Sequence, residues 1–324
     1  MRRTTLNQRN KMKLPNTLLA LLRLKRPHGG TGEQVARQIV LQALTKLDVQ
    51  GHTESDDFGN VFYRQGVADG RWFTAHLDTV HREDGVLTPV YIQDTGCLVA
   101  DDAAGQPAVL GADDAAGVYL LLEMIQAGVP GNYAFFLGEE CGGLGSSHFI
   151  DRNPQLSATM CVSFDRRGTR DIITHQGGYR TCSEAFALAL SGALNMQDNQ
   201  FNYRPDDGGL YTDSKEFAGI VSECTNVSVG YYDEHTRQER LDINHLMRLR
   251  DAVVSLNWEE LPIVRVPVED DCGWGGNWNK WWKERDTPSE AMGERIQNAI
   301  EQYHAVLPKD VLDILDELQS GDYL

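Results

Sequence analysis

The chain has 324 residues, of which 41% are hydrophobic, and it carries a formal net charge of -17. A chain of this length and composition can bury one large core and still carry an appendage. The acidic excess repels nucleic acid and suits a protein that attracts cations. No apolar run approaches the roughly 20 residues that a membrane-spanning helix needs. We therefore expect neither nucleic-acid binding nor membrane association.

The basic start of the chain does not resemble a secretory signal. The apolar run from Leu18 to Leu24 is interrupted by Arg23, and no small-residue cleavage site follows it. The six cysteines have no close spacing, and several lie in apolar, strand-like runs, as buried free thiols do. These features predict a reducing, cytoplasmic compartment.

The hydrophobic pattern predicts alternating strands and helices. Helices are predicted at residues 32–47, 115–127, 145–150, 182–193 and 244–256. Strands are predicted at residues 57–63, 71–78, 133–137, 159–164 and 225–231, with a hairpin region at 86–111. Alternation of this kind predicts a three-layer α/β/α fold with a mixed, mostly parallel central sheet and helices on both faces.

Composition divides the chain into three predicted parts: a basic N-terminal segment at 1–28, a main domain at 29–262 and a C-terminal appendage at 263–324. The appendage opens with a tryptophan-rich segment that contains Trp274, Trp278, Trp281 and Trp282. Two amphipathic helices are predicted after it, at about 288–305 and 308–319. The appendage either contacts another protein, such as a second copy of this chain, or covers the core of its own chain.

The predicted strand at 71–78 brings His76 and Asp78 to its carboxyl end. The two side chains are two residues apart, so they point the same way from an extended chain. A histidine with a neighbouring carboxylate suits a metal site, because the carboxylate can fix the tautomer of the ligating imidazole. The same pair also occurs at ordinary surface strand ends, so the interpretation depends on the motifs that follow.

Four further motifs follow apolar runs or open a helix, where a parallel sheet presents its ligand-binding edge. They are Gly111-Ala-Asp-Asp-Ala-Ala-Gly117, Phe136-Leu-Gly-Glu-Glu-Cys-Gly-Gly143, Val162-Ser-Phe-Asp-Arg-Arg-Gly168 and Gly230-Tyr-Tyr-Asp-Glu-His-Thr236. Taken singly, most have a structural explanation. Asp113 and Asp114 could both be helix N-caps, and we expect one cap and one ligand. Asp165 could form an ion pair with an arginine, and His235 could be an ordinary loop residue.

The adjacent pair Glu139 and Glu140 is the hardest motif to explain structurally. Two carboxylates directly after a buried strand are unfavourable unless a cation faces them. Together, the motifs supply two histidines and several carboxylates, a donor set that suits Zn²⁺ and also Co²⁺ or Mn²⁺. One shared carboxylate with two separate ligand pairs is what two ions about 3.5–4 Å apart require.

The order of these motifs resembles the co-catalytic di-zinc exopeptidases, which include single-domain zinc aminopeptidases and a related tripeptidase and carboxypeptidase branch. The resemblance covers roughly residues 30–260 and implies that the main domain is a di-metal peptidase with the zinc-dependent exopeptidase fold. The tripeptidase branch inserts a dimerisation domain between the fourth and fifth ligands. Here Asp165 and His235 are separated by only 70 positions, so such a domain does not fit.

The resemblance implies five metal ligands: His76, Asp113, Glu140, Asp165 and His235. His76 and Asp165 would complete one ion, Glu140 and His235 the other, and Asp113 would bridge both. The resemblance also allows a cis peptide bond after Asp113. Two Zn²⁺ ions per chain are the expected cofactors, with Co²⁺ or Mn²⁺ as alternatives.

The resemblance also implies two catalytic residues, Asp78 to orient His76 and Glu139 as the general base. The expected activity is that of an aminopeptidase-like exopeptidase acting on small peptides. A di-metal amidohydrolase of a small N-acyl compound and a catalytically silent binding relative are the alternatives. Thr212-Asp213-Ser214 and Tyr231 or Tyr232 could line the pocket, although loop and core roles explain these residues better.

Overall fold

The computed structural model describes residues 3–5, 14–47, 49–66 and 70–267. Its helices are α1 Asn16–Leu22, α2 Thr31–Lys46, α3 Ala112–Gln126, α4 Leu144–Arg152, α5 Glu184–Gln197, α6 Ser214–Phe217 and α7 Ile243–Ser255, with 3-10 turns at Glu139–Cys141 and Trp258–Glu260. In this described part, no helix combines the length and the apolar character needed to cross a membrane.

The strands are short, and many follow the apolar runs of the sequence. They are β1 Arg3–Thr5, β2 Leu24–Lys25, β3 Gly51–Ser55, β4 Val61–Gln65, β5 Arg71–His76, β6 Gly85–Val86, β7 Thr88–Ile92, β8 Cys97–Asp101, β9 Pro107–Ala108, β10 Gly131–Phe136, β11 Met160–Arg166, β12 Asp171–Ile173, β13 His175–Gln176, β14 Tyr179–Arg180, β15 Arg204–Asp206, β16 Glu223–Ser228, β17 Tyr231–Tyr232 and β18 Arg240–Asp242.

The main sheet has eight strands in the order β15-β12-β16-β11-β5-β10-β4-β3. The central strands β16, β11, β5 and β10 are parallel to one another. Antiparallel pairs flank them, with β4 and β3 on one side and β12 on the other. The mixed, mostly parallel sheet predicted from the sequence is confirmed. Because the four central strands are parallel, their carboxyl ends meet at one edge of the sheet.

A second, antiparallel sheet has the order β1-β7-β8-β18-β17, with β9 paired to β8. Its strands β7 and β8 form the hairpin predicted at 86–111. The pairing of β8 with β18, through Leu98 and Leu241, was not predicted. This pairing joins the hairpin that leads into Asp113 to the chain segment that carries His235.

Helices cover both faces of the main sheet. On one face α3 packs on β5 and β11, with α1 and α7 against α3, while α6 packs on β16 and β11 from the other face, beside α4. The strand β5 shows why two cores form, since Phe73 lies in the larger core and Trp72 in the smaller. Successive side chains of a strand point to opposite faces, so a central strand supplies both.

The boundary predicted at residue 28 does not separate two structural units. Leu18, Leu21 and Leu24 are buried in the larger core, so residues 14–28 pack with the main domain. No inserted domain lies between Asp165 and His235, because that part of the described chain contributes strands to both sheets and helices against the main sheet.

The tryptophan-rich segment and the two predicted C-terminal helices lie at 268–324, outside the described residues. The proposed self-association through this appendage therefore stays a prediction, as does the cytoplasmic location. Where the described chain ends, the Arg265 guanidinium donates hydrogen bonds to the carbonyl oxygens of Ala218, Val221 and Ser222. The backbone N–H of Arg265 donates to Glu223.

Trp72 fills the smaller core. It is 2% exposed, and its ring centroid lies 5.1 Å from that of Phe149 and 5.8 Å from that of Phe217. We expect Trp72→Ala to lower the free energy of unfolding by about 3–5 kcal/mol, because it leaves a cavity among these rings. Denaturant unfolding measures the change. The control Leu188→Ala, at a side chain 55% exposed, should cost less than about 0.5 kcal/mol, and an equal loss in both variants would contradict the core role of Trp72.

Candidate metal centre

The structure brings the five predicted ligands together at the carboxyl edge of the main sheet. His76 is the last residue of β5, Asp165 lies near the end of β11, and Glu140 lies in the turn that follows β10. Asp113 lies in the first turn of α3, and His235 lies between β17 and β18. Their side chains approach one another although their positions in the chain are far apart.

Asp113 lies between the two histidines. Its Oδ1 is 3.0 Å from His76 Nε2, and its Oδ2 is 3.2 Å from His235 Nε2. His76 Nε2 also lies 3.5 Å from Asp165 Oδ1, and His235 Nε2 lies 2.9 Å from Glu140 Oε1. The geometry therefore consists of two histidine–carboxylate pairs that share one carboxylate.

The residues of this cluster fit a divalent metal ion. Ligand atoms of His76, Asp113 and Glu140 lie within 4.8 Å of one another. Glu140 Oε1 is buried, and its 2.9 Å contact with His235 Nε2 lacks good hydrogen-bond geometry. A buried carboxylate oxygen in this condition is unfavourable unless a cation faces it. Imidazole nitrogens and carboxylate oxygens are ligands of Zn²⁺, Co²⁺ and Mn²⁺.

Asp114 lies in the same cluster, but both of its carboxylate oxygens accept hydrogen bonds from backbone N–H groups. One of its oxygens accepts the N–H of His76 at 3.2 Å, and the other accepts the N–H of Gly117 at 2.9 Å. Asp114 therefore caps the start of α3 and ties it to the end of β5, in line with the expectation of one cap. The peptide bond between Asp113 and Asp114 is cis.

Asp78 connects His76 to the turn that carries the glutamate pair. Its Oδ1 accepts the N–H of Glu139 at 3.0 Å, and its Oδ2 accepts the N–H of Glu140 at 3.1 Å. The same Oδ1 lies 3.4 Å from His76 Nδ1. This places a carboxylate beside the ring nitrogen of His76 that faces away from Asp113, where it can orient the imidazole.

Asp165 is held by three neighbouring side chains. Thr212 Oγ1 donates to its Oδ2 at 2.7 Å, and the Tyr231 hydroxyl donates to its Oδ1 at 2.9 Å. Asn226 bonds to the backbone N–H and C=O of Asp165. The sequence marked Thr212 and Tyr231 only as weak candidates for pocket lining, and the structure places both on a predicted ligand.

A family model, Peptidase family M28, matches residues 71–242. The chain belongs to this family. It is therefore a metal-dependent, aminopeptidase-like exopeptidase, and the resemblance to the co-catalytic di-zinc exopeptidases is confirmed. The matched residues contain all five predicted ligands as well as Asp78 and Glu139.

Solved peptidases share the fold of this M28 peptidase. The aminopeptidase PepT of Bacillus cereus aligns with a TM-score of 0.59 at 17% identity, covering 74% of this chain and 96% of that one. A Staphylococcus aureus tripeptidase gives 0.60 at 14% identity, covering 74% and 95%. The TET aminopeptidase of a marine-sediment Thaumarchaeota archaeon gives 0.57 at 12%, covering 79% and 98%. A search of curated proteins gave no match.

Sequence reasoning missed two buried charged residues beside the centre, Glu239 and Arg26, each 1% exposed. The Glu239 carboxylate accepts the backbone N–H groups of residues 110–113. The Arg26 guanidinium donates to three backbone carbonyls, among them those of Leu77 and Gly111. In the sequence, Glu239 lies in a run of charged residues and Arg26 in a basic segment. No local pattern distinguishes either from an exposed charged residue.

Burial and mutual repulsion shift the pKa values of the cluster. Burial, with repulsion from Asp113, raises the pKa of Glu140 to about 7. Burial raises the pKa of Glu139 well above its usual value, and the nearby Asp165 adds to this. The contacts with Asp113 and Glu140 raise the pKa of His235 to about 11. The metal-free centre therefore holds protons near neutral pH that a bound cation displaces.

Removal of the metal should make the stability of this M28 peptidase depend on pH. Groups whose pKa is raised by folding, such as Glu140 and His235, bind protons more tightly in the folded state. Their contribution to stability is therefore lost as the pH rises through the folded-state pKa. We expect the Tm of the chelator-treated protein to fall between about pH 5 and about pH 9, because Glu140 has a folded-state pKa of about 7 and His235 one of about 11. The metal-loaded protein should be more stable and less pH-dependent. Differential scanning fluorimetry measures both.

Asp213 provides a matched variant for this measurement. Burial raises its pKa to about 8, and its Oδ1 is buried without a hydrogen-bond partner among the described residues. Asp213→Asn removes one of the titrating groups, so the Tm of the metal-free variant should fall less steeply over the same pH interval. A metal-free wild-type protein whose Tm rises over this interval would contradict the assignment of these shifts.

Proposed function

We propose that this M28 peptidase removes amino-terminal residues from small peptides and uses two divalent metal ions, with zinc as the native metal. The observation that carries the proposal is the position of Asp113, whose two oxygens face two different histidines at 3.0 and 3.2 Å. A single carboxylate shared by two ligand pairs is the arrangement that a two-metal site requires.

In this proposal His76 and Asp165 would hold one ion, Glu140 and His235 would hold the other, and Asp113 would be the ligand that the two ions share. Bound divalent ions lower the pKa of water and polarise the carbonyl group of a substrate. The histidines would bind through Nε2, because these are the ring nitrogens that face the carboxylates. Substitution of any one of these five residues should lower the metal content of the protein, which atomic absorption measures.

Glu139 is the proposed general base. It lies in the turn that follows β10, and Asp78 holds its backbone N–H. Burial raises the pKa of Glu139, so its carboxylate has a higher proton affinity than an exposed glutamate. Glu139 would take a proton from the attacking water and return it to the nitrogen of the leaving amine. Asp78 would keep His76 oriented through its contact with His76 Nδ1.

Glu139→Gln should reduce hydrolysis of an aminoacyl-4-nitroanilide by about 10²–10⁴-fold while the metal content stays at the wild-type level. The amide keeps the size of the side chain but cannot take the proton. Steady-state kinetics and atomic absorption measure the two quantities. The control is Cys141→Ser, at an exposed position in the same turn, which should keep full activity. Near-wild-type hydrolysis by the glutamine variant would reject Glu139 as the base.

The amino-terminal preference has an electrostatic basis. Two divalent ions and Arg26 would together supply five positive charges, which the eight carboxylates at the centre outnumber, so the metal-loaded centre still attracts the ammonium group of a peptide. The eight are Asp78, Asp113, Asp114, Glu139, Glu140, Asp165, Asp213 and Glu239. We expect a peptide with a free amino terminus to be hydrolysed, and the N-acetylated form of the same peptide to lose at least about 100-fold in kcat/KM, corresponding to about 2.7 kcal/mol. Chromatography of the products measures both rates. Preferred hydrolysis of the acetylated form would instead identify an amidohydrolase of N-acyl compounds.

A further inference from the structure

Glu239 binds the backbone of the segment that carries the bridging ligand. We propose that Glu239 is a positioning residue that holds Asp113 in place for both metal ions. The proposal rests on the proposed function, because it takes Asp113 to be the shared ligand. Glu239 itself does not face the ligand cluster with a free oxygen, since both of its oxygens are occupied by backbone N–H groups.

The contacts of Glu239 use two oxygens for four donors. Oε2 accepts the N–H groups of Leu110 and Gly111 at 2.8 and 2.9 Å, and Oε1 accepts those of Ala112 and Asp113 at 2.8 and 3.1 Å. These N–H groups lie at and just before the start of α3, where backbone donors have no partner within the helix. Consecutive N–H groups of this kind form an anion-binding concavity, and here a side chain of the same protein fills it.

Arg26 holds the same segment from the other side. Its Nη2 donates to the carbonyl oxygen of Gly111 at 2.8 Å, and its Nε donates to the carbonyl oxygen of Leu77 at 2.8 Å. The N–H of Gly111 donates to Glu239, so the backbone of this residue is bonded both to the Glu239 carboxylate and to the Arg26 guanidinium. Because Leu77 follows His76 in the chain, Arg26 also fixes this segment relative to the end of β5.

Glu239 also relates Asp113 to the second histidine. It lies four residues after His235, directly before β18, and its own N–H donates to the carbonyl oxygen of Thr236 at 3.1 Å. One short stretch of chain therefore carries one proposed ligand and binds the backbone of another. Loss of these bonds would free Asp113 to move relative to His235, and the expected consequence is weaker metal binding.

A buried carboxylate elsewhere in the fold provides a matched control. Glu223 is completely buried and accepts backbone N–H groups from Ser183, Val264 and Arg265. It is the first residue of β16, at the opposite end of that strand from the metal centre. Glu239→Gln and Glu223→Gln both direct an NH₂ group at backbone donors, so both should lower the Tm. Only the first should change metal binding.

The experiment is a calorimetric titration of Zn²⁺ into the chelator-treated full chain, with thermal unfolding recorded for each variant. We expect Glu239→Gln to weaken Zn²⁺ binding by about 10–100-fold, as loss of residues that support metal ligands does. Glu223→Gln should bind Zn²⁺ as tightly as the wild type. Glu239→Asp, which keeps both oxygens on a shorter side chain, should bind more tightly than the glutamine variant.

Wild-type Zn²⁺ affinity in Glu239→Gln would overturn the positioning role. If that variant does not fold, Glu239→Asp decides, because its shorter side chain cannot reach all four N–H groups at once. Binding weaker than in the wild type then supports the role, and wild-type binding rejects it. Asp113→Asn separates this proposal from the proposed function. If the wild type binds no Zn²⁺, or if Asp113→Asn binds as the wild type does, the two-metal assignment fails and Glu239 fails with it. If Asp113→Asn loses binding while Glu239→Gln does not, only the role of Glu239 is rejected.

Discussion

Repulsion among buried carboxylates is the constraint that organises the carboxyl edge of the main sheet. Two groups of acids there differ in their partners. Asp78, Asp114 and Glu239 have both oxygens bonded to backbone N–H groups, and all three lie in the field of the Arg26 guanidinium. Among the described residues, Glu140 Oε1 and both oxygens of Asp113 face imidazole nitrogens of the proposed ligands. The first group, here called the frame, holds backbone segments together. The oxygens of the second group are available to bind cations.

Each acid of the frame joins two segments that are distant in the chain. Asp114 joins the end of β5 to the start of α3, and Asp78 joins the segment after β5 to the turn after β10. Glu239 joins the segment after His235 to the one before α3. The separations of the proposed ligands are therefore set by bonds between carboxylates and backbone, before any ion binds. A site held in this way needs little rearrangement on metal binding, which favours affinity and correct catalytic geometry.

The sequence predicted the parts of the centre that depend on local pattern. Short apolar runs marked β5, β10 and β11, and parallel pairing then carried His76, Glu140 and Asp165 to one edge. The small residues around Asp113 allow the close approach of α3 to β11, since a Cβ atom at Gly117 would lie 2.3 Å from the carbonyl oxygen of Phe164. His235 followed the pattern less directly. The predicted strand at 225–231 stops at Ser228 as β16, and His235 lies in a hairpin with a φ of 63°.

Arg26 shows why the remaining contacts could not be predicted from the sequence. Its acceptors are backbone carbonyls, which every residue has, so no residue type marks the partners. It was assigned to a basic segment outside the main domain, yet its buried guanidinium lies in the field of Glu239, Asp114 and Asp78. Burial lowers the pKa of Arg26 to about 10, so the side chain stays charged at neutral pH. Because the guanidinium is bonded to carbonyl oxygens, it supplies positive charge near the carboxylates without competing with metal ions for the carboxylate oxygens. Arg26, from the basic start of the chain, therefore partly offsets the repulsion among the acids of the centre.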